Sequence, residues 1–527
     1  MLQDNLDFKK SDMEAKPAEV PRRASQTGTV QDVALGDVEN LEQLGYRPSN
    51  LQRNRSTRTL LFQSLAIEAI PFAIGGPLIS AVYGGGPLAL FVGWIVVVAL
   101  SQCVALSIAE LASRYPTSAG PYYWSFQLAS RGKTVLSFVT GWTWLTANWT
   151  ITLSVNFGFV SLLAATMTMI QPEWEATTWQ LLLMFYAILL FTLIICVFAN
   201  KWLAAIDTLC AAWIGLTIIV TLIALSVKAK SGRNDAGYAL GHYDKSFSGW
   251  GGFTFFIGLL PAAYTFSGVG MIAAMAEECA EPAVKVPKAI ALNIPVQAVA
   301  GFFFVLPICF TIGPLEELIA APYGQALPVL FRSIMGSDAG ALGLLILVLI
   351  LTLGCSLSIT VAASRCTWAF ARDEALPGAR TFSRVHERLG APVNAIILVT
   401  VVQMLLGVIY LGSSSAFTAF VSVGVMSLEV SYVIPVIVSL LHKRKEVNGA
   451  RFTCGPVIGA MVNWVAVGWI LFQVVLFSMP TALPVTAVTM NYASVVFVGF
   501  AVLSAIWYFV HAHKVYSGPP TSDGIAA

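Results

Sequence analysis

Charge is the scarcest commodity in this chain. Asp, Glu, Lys and Arg make up 11% of its 527 residues, whereas soluble domains carry about 25%. Apolar residues reach 57%, above the roughly 45–50% of soluble domains. A soluble globular protein is thereby excluded, and a polytopic membrane protein is expected. Histidine is nearly as scarce, with five scattered residues (His242, His386, His442, His511 and His513). The eight cysteines (Cys103, Cys196, Cys210, Cys279, Cys309, Cys355, Cys366 and Cys454) form no CxxC pair. Neither a disulfide framework, a zinc site nor any other cofactor is therefore expected. HExxH and GxSxG are also absent, so no enzyme is expected, and nothing points to a nucleic-acid partner. The first 59 residues contain no apolar run, so no cleaved signal peptide is expected there. Their polar, Ser- and Pro-rich composition reads as a disordered cytosolic tail, with Lys9, Lys10 and Lys16 solvated on it.

What is present in abundance is long apolar runs. Twelve segments read as membrane spans: 60–82, 88–112, 134–168, 178–199, 202–227, 253–276, 288–312, 338–370, 393–412, 415–441, 457–479 and 490–510. Roughly 20 apolar residues suffice for a helix to cross a bilayer. Lys and Arg fix the orientation. With both ends cytoplasmic, inner segments hold 25 of the 30 basic residues and outer loops hold 5, as the positive-inside rule requires. The last 17 residues, 511–527, then form a second cytosolic tail.

Two of these spans are interrupted in the middle, about 195 residues apart. The first reads LLFQSLAIEAIPFAIGGPLISAV (60–82), with Pro71, Gly75, Gly76 and Pro77 near its centre; the sixth, FTFFIGLLPAAYTFSGVGMIAAMA (253–276), has Pro261, Gly268 and Gly270. Unwound backbone at membrane depth survives only where protein or a wet cavity satisfies it. A matched pair of broken spans points to the binding site of a secondary transporter built from inverted repeats. Half-helix N-termini are electropositive and freed carbonyls electronegative. Breaks at Ile70, Pro71, Phe72, Ala73 and Gly75, and at Tyr264, Thr265, Phe266, Ser267 and Gly268, would offer both signs to an amino acid. The single glycine or proline break, common in membrane helices, is the blander reading of either span alone.

Intramembrane charge costs roughly 2.5–3.5 kcal/mol even on insertion scales, so each case needs a reason. Glu68 lies just before the first break and reads as a gate or coupling group. Glu429 lies in the middle of the tenth span, where it could bind a cationic amine, carry a proton or make a structural hydrogen bond. Asn148 in the third span is a candidate substrate contact, and Trp149 faces either substrate or lipid. Glu110, Asp207, Glu277, Glu278, Arg365 and Arg372 sit near expected cytoplasmic span ends, where they form inner-gate ion pairs or, for the arginines, snorkel. The segment 314–332 is too short of apolar length to span.

Several motifs stand together in this frame: Gly86-Pro87; SIAELASRYPTSAGPYYW (107–124); Gly141-Trp142-Thr143-Trp144; AEECAEPAVKVPKAI (276–290); and RCTWAFARDEALP (365–377). Together they resemble the amino acid–polyamine–organocation superfamily, and within it the fungal-type amino acid/choline permeases, which include gamma-aminobutyrate and choline carriers. The resemblance covers roughly 57–510. It implies an all-α fold of about twelve transmembrane helices with a 5+5 inverted repeat (60–227 and 253–441) and extra helices over 457–510. It also implies a site between spans 1, 3, 6, 8 and 10 and proton-driven uptake, with Phe266 as an aromatic gate and 314–332 as an external cap. The chain departs from the family in reading Ile70-Pro71-Phe72-Ala73 where members often carry a Gly-Ser-Gly or Asn-Ser-Trp type of break. The region 207–213 lacks the lysine that some bacterial relatives use for protonation. The expected function is import of an amino acid or small amine, coupled to protons, at the plasma membrane or an endomembrane. A choline or polyamine carrier is the alternative within that class, and a non-transporting nutrient sensor the alternative outside it.

Overall fold

The computed structural model describes residues 42, 44–46, 55–411, 416–486 and 490–521. Most of the two expected tails, with Lys9, Lys10 and Lys16, lies outside them. Among the described residues ten helices are long and apolar enough to cross a membrane, and Val393–Gly407 is a shorter apolar helix. The first span is the other exception, because it is divided into Thr57–Glu68, Ile70–Gly75 and Leu78–Tyr83. Each expected span has its helix, so the protein is an all-helical, multi-pass membrane protein. Spans 2 to 5 are Pro87–Arg114, Lys133–Ile170, Thr178–Phe198 and Leu203–Lys228. Span 6 runs over Gly251–Glu278, and spans 7 and 8 are Pro282–Thr311 and Asp338–Arg372. Spans 9 to 12 begin at Val393–Gly407, Ala416–Leu441, Pro456–Leu476 and Ala493–Trp507.

The packing repeats itself under exchange of the two halves. Span 3 packs on span 10, and its counterpart span 8 packs on span 5. Span 4 packs on span 3 as span 9 packs on span 8, while spans 2 and 7, and 4 and 9, pair with each other. Five spans per half is an odd number, so consecutive halves of one chain enter the bilayer from opposite faces. Burial follows this plan. Spans 3, 6, 8 and 10 are the most enclosed, and span 12 stands almost entirely at the periphery.

The two breaks differ from the sequence expectation in position and kind. In span 1 the chain turns at Ala69, which adopts a left-handed conformation (φ 34°, ψ 61°), and Ile70–Gly75 is helical rather than unwound. Pro71 occupies the first turn of that second helix, where its missing N–H costs nothing. The helix yields again at Gly76-Pro77. In span 6 the α-helix Leu260–Ser267 gives way at Gly268 to eleven residues of 3₁₀ helix, Gly268–Glu278. Runs of that kind longer than three or four residues are uncommon and mark strain or a hinge.

Segments beyond the spans close both ends. Leu315–Ile319 and Ala326–Met335 form the short capping helices expected near 314–332, and Leu327 sits against Gly75. At the opposite end Leu44 and Tyr46, within the expected tail, are buried against the bundle. The Tyr123 hydroxyl donates to the Leu44 carbonyl at 2.9 Å.

Candidate functional site

A narrow cavity of about 10 Å³ lies where the two breaks face each other, between spans 1, 3, 6 and 8. Span 1 supplies Ile67, Glu68, Phe72 and Ala73; span 6 supplies Tyr264, Ser267 and Gly268; the rest comes from Ile151, Val155, Cys355 and Ile359. The walls stand so close that about one water fits. Glu68 is the one ionisable acid in the lining, which contains no Lys, Arg or His.

Side chains from other spans answer the backbone that the breaks release. The Cys355 thiol of span 8 donates to the Ile67 carbonyl at 2.9 Å. The Tyr432 hydroxyl of span 10 donates to the Ser267 carbonyl at 3.3 Å, at the transition into the 3₁₀ segment. Ser154 of span 3 and Tyr264 share a hydrogen bond of 2.8 Å. Cys355, Ser154 and Tyr432 carried no expected role; only the partner backbone, invisible in sequence, reveals one. Gly268 brings the two breaks together, because a Cβ there would lie 3.2 Å from Ile67 Cγ2 and 3.4 Å from Glu68 Cγ.

The expected contacts divide cleanly. Glu68, Phe72, Ala73, Tyr264, Ser267 and Gly268 line the cavity. Ile70, Pro71, Gly75, Asn148, Thr265, Phe266 and Glu429 do not. Phe266 lies outside the cavity lining and packs at a tilt against Trp94 of span 2, ring centroids 4.8 Å apart. Asn148 donates back to the Trp144 carbonyl of its own helix at 2.8 Å, and Thr265 likewise to Pro261. Ile151 and Val155, a turn or two further on, take the place expected for Asn148. Trp149 donates to Thr367 at 3.0 Å. Glu429 is buried within span 10, and its Oε2 has no hydrogen-bond partner.

The ionic residues assemble into three groups. Arg55 bonds Asp207 at 2.7 Å and approaches Glu278 at 3.5 Å; Arg365 bonds Glu278 at 2.8 Å and Asn200 at 2.8 Å. Ser358 donates to the second Asp207 oxygen at 2.6 Å. Burial opposes charge on Arg55, but the Asp207 and Glu278 carboxylates outweigh it and hold its pKa above the ordinary value. In the second group Arg372 grips both oxygens of Glu277 at 2.9 and 3.1 Å and lies 3.9 Å over the Tyr46 ring. Asp373 accepts from Tyr46 at 2.9 Å and Tyr122 at 2.7 Å. Burial raises the pKa of Asp373, with Arg372 offsetting part of the effect. These two groups tie the chain before span 1 to spans 5, 6 and 8. Arg365 and Arg372 therefore pair rather than snorkel. Glu110 stands apart from them. Arg444 clamps its two oxygens, each at 2.7 Å, and the Cys454 amide adds a third bond at 2.8 Å. Glu110 thus fastens span 2 to the loop before span 11, not to the group around the breaks. Arg55 was missed because it lies in the stretch read as a tail.

Known proteins resemble this chain over most of its length. The amino acid permease family matches residues 60–501. An uncharacterized amino-acid permease of Schizosaccharomyces pombe is 32% identical, over 94% of this chain and 92% of its own length. The GABA-specific permease of Saccharomyces cerevisiae is 30% identical, over 93% and 86%. The choline transporter of the same yeast is 29% identical, over 90% and 84%.

Proposed function

The chain belongs to the amino acid permease family, and from that premise we propose a proton-coupled importer that carries one small amino acid or primary amine by alternating access. Membership makes it a membrane transporter for amino acids or amines; the coupling, direction and substrate end are our reading. The observation that carries it is the carboxylate of Glu68 standing at the edge of the cavity, with Oε1 unpartnered and no cation in the lining to neutralise it. A buried charge without a partner is costly, and a substrate ammonium supplies the missing one. Phe72 and Tyr264 add faces for cation–π attraction.

The relatives named for choline raise a second reading. A quaternary ammonium is best held by a cage of aromatics. Two aromatic rings line this cavity, while Phe266 and Trp149 are engaged elsewhere. That composition favours a primary amine. Alternating access would work on the ionic groups around Arg55, Arg365 and Arg372, which close one end while the capping helix over Gly75 closes the other. We place the ionic end and both termini in the cytoplasm, on the distribution of Lys and Arg, and the protein in the plasma membrane. The charged groups would open and re-form with each cycle, with Glu68 or Glu429 exchanging the coupling proton.

Radiolabelled uptake in cells lacking their own permeases tests this reading. The panel holds amino acids, gamma-aminobutyrate, polyamines and choline, with and without a protonophore. Saturable uptake of an amino acid or primary amine that collapses with the protonophore is expected. Choline uptake alone would favour the second reading, and no uptake by protein present at the cell surface would overturn both.

A further inference from the structure

Behind Glu68 lies a polar arm that the cavity itself does not include. Asn293, in span 7, donates its amide N–H to Glu68 Oε2 at 2.7 Å. Gln297, one turn further along the same helix, donates to Asn293 Oδ1 at 2.8 Å. All three side chains are buried, with Asn293 and Gln297 fully excluded from solvent. Burying two amides in an otherwise apolar helix face is costly unless they are bonded. Their bonds run one way, toward the carboxylate.

We infer that Asn293 and Gln297 are positioning residues for Glu68: they hold one carboxylate oxygen so that the other points at the cavity to receive the substrate's ammonium. This rests on the transport reading above and assigns a substrate-orienting role to span 7, which contributes no lining residue. The direction of the bonds carries the argument. Gln297 fixes the Asn293 carbonyl, so the Asn293 N–H must face Glu68, and an N–H donor there suits an ionised carboxylate. Gln297 Oε1 has no partner among the described residues. Both amides can therefore turn over together, so that the Asn293 carbonyl accepts a hydrogen bond from a neutral Glu68. An amide pair is the side-chain arrangement that serves both forms, as a site that exchanges a cation must. No arginine or lysine packs on Glu68 to fix its charge. The titratable groups near it are the Cys355 thiol of span 8, Tyr264 of span 6 and Tyr432 of span 10.

The test is uptake of radiolabelled gamma-aminobutyrate and of choline by the full chain, in permease-deficient cells, across external pH and normalised to surface protein. Asn293→Leu keeps the volume and removes the donor. A hydrogen bond to a charged group is worth on the order of a tenfold to hundredfold change, so KM should rise by that factor while maximal uptake per surface molecule changes about twofold or less. The pH profile should move toward alkaline pH, because the ionised carboxylate has lost its donor. Gln297→Leu should do the same more weakly, and Asn293→Gln, which retains an amide, should recover part of the loss. An unchanged KM and pH profile in Asn293→Leu would overturn the inference. So would a loss of maximal uptake alone, which marks a packing role. Should Asn293→Leu fail to reach the surface, Gln297→Leu reads the same two quantities. Wild-type protein that takes up neither probe, nor any other member of the panel above, would instead overturn the transport reading beneath it.

Discussion

Gly268 is the residue on which the site closes. Its missing side chain lets span 6 approach Ile67 and Glu68 to van der Waals distance. Gly268→Leu should abolish uptake while surface expression persists, and Gly268→Ala should leave partial activity, since a Cβ at 3.2 Å asks Ile67 to give by only a few tenths of an ångström. Surface biotinylation beside uptake checks this; normal transport by the leucine variant would refute the close approach. Ala69 is the complementary case. A left-handed alanine stores strain on the order of 1–3 kcal/mol. Ala69→Gly should therefore raise the melting temperature of the purified protein, and Ala69→Val should lower it and impair transport. Glu429, buried with one oxygen unpartnered, poses a functional question. If it carries the coupling proton, Glu429→Gln will impair accumulation more than substrate exchange. Equal losses would point to substrate binding or folding.

At the scale of elements, the buried ion pairs fall into two sets that join different parts of the bundle. Arg55, Asp207, Glu278 and Arg365 connect spans 5, 6 and 8 to the chain entering span 1. Arg444 and Glu110 connect span 2 to the loop before span 11. Removing one partner of a buried pair costs about 3–5 kcal/mol, because the other charge is stranded. Arg444→Ala should accordingly lower thermal stability in detergent and leave KM unchanged in protein that reaches the surface. Arg365→Ala should lose some stability as well, but its signature is kinetic: the ratio of inward-open to closed protein shifts, which cysteine accessibility in the cavity reports. Equal accessibility in both variants would argue against a gating role for Arg365. The tails obey the same logic. Tyr46 under Arg372 and Tyr516 bonded to Ser137 at 2.9 Å cover the second ionic group from the two ends of the chain.

For the whole molecule, the decisive question is orientation. Reagents that cannot cross the membrane should label a cysteine introduced at Ser231, in the loop before span 6, on intact cells. They should label one at Lys445, in the loop before span 11, only after permeabilisation. The opposite pattern would invert the proposed direction of the ionic gate. Exchange of the halves relates spans 3 and 10 to spans 8 and 5, so the proposed cycle would move one set of helices against the other about the breaks in spans 1 and 6. The 3₁₀ segment Gly268–Glu278 carries Glu277 and Glu278 at its far end, which links the cavity directly to both ionic groups.

Composition and apolar run length alone determined that this is a multi-pass membrane protein, since no soluble fold can bury so much apolar surface with so little charge. The Gly and Pro residues of spans 1 and 6 marked where these two helices are interrupted, although in span 1 the turn itself falls on Ala69, two residues before Pro71. Tertiary structure decided which side chains reach the cavity. Phe266 and Asn148 look as suitable in sequence as Phe72 and Ile151, but Phe266 packs on Trp94 and Asn148 bonds back to its own helix backbone, whereas Phe72 and Ile151 face the cavity. Asn293, 225 residues from Glu68 in the chain, carries no local signal at all. Rotation and long-range pairing are set by packing between helices, and a stretch of apolar sequence does not record which neighbour will press on which face.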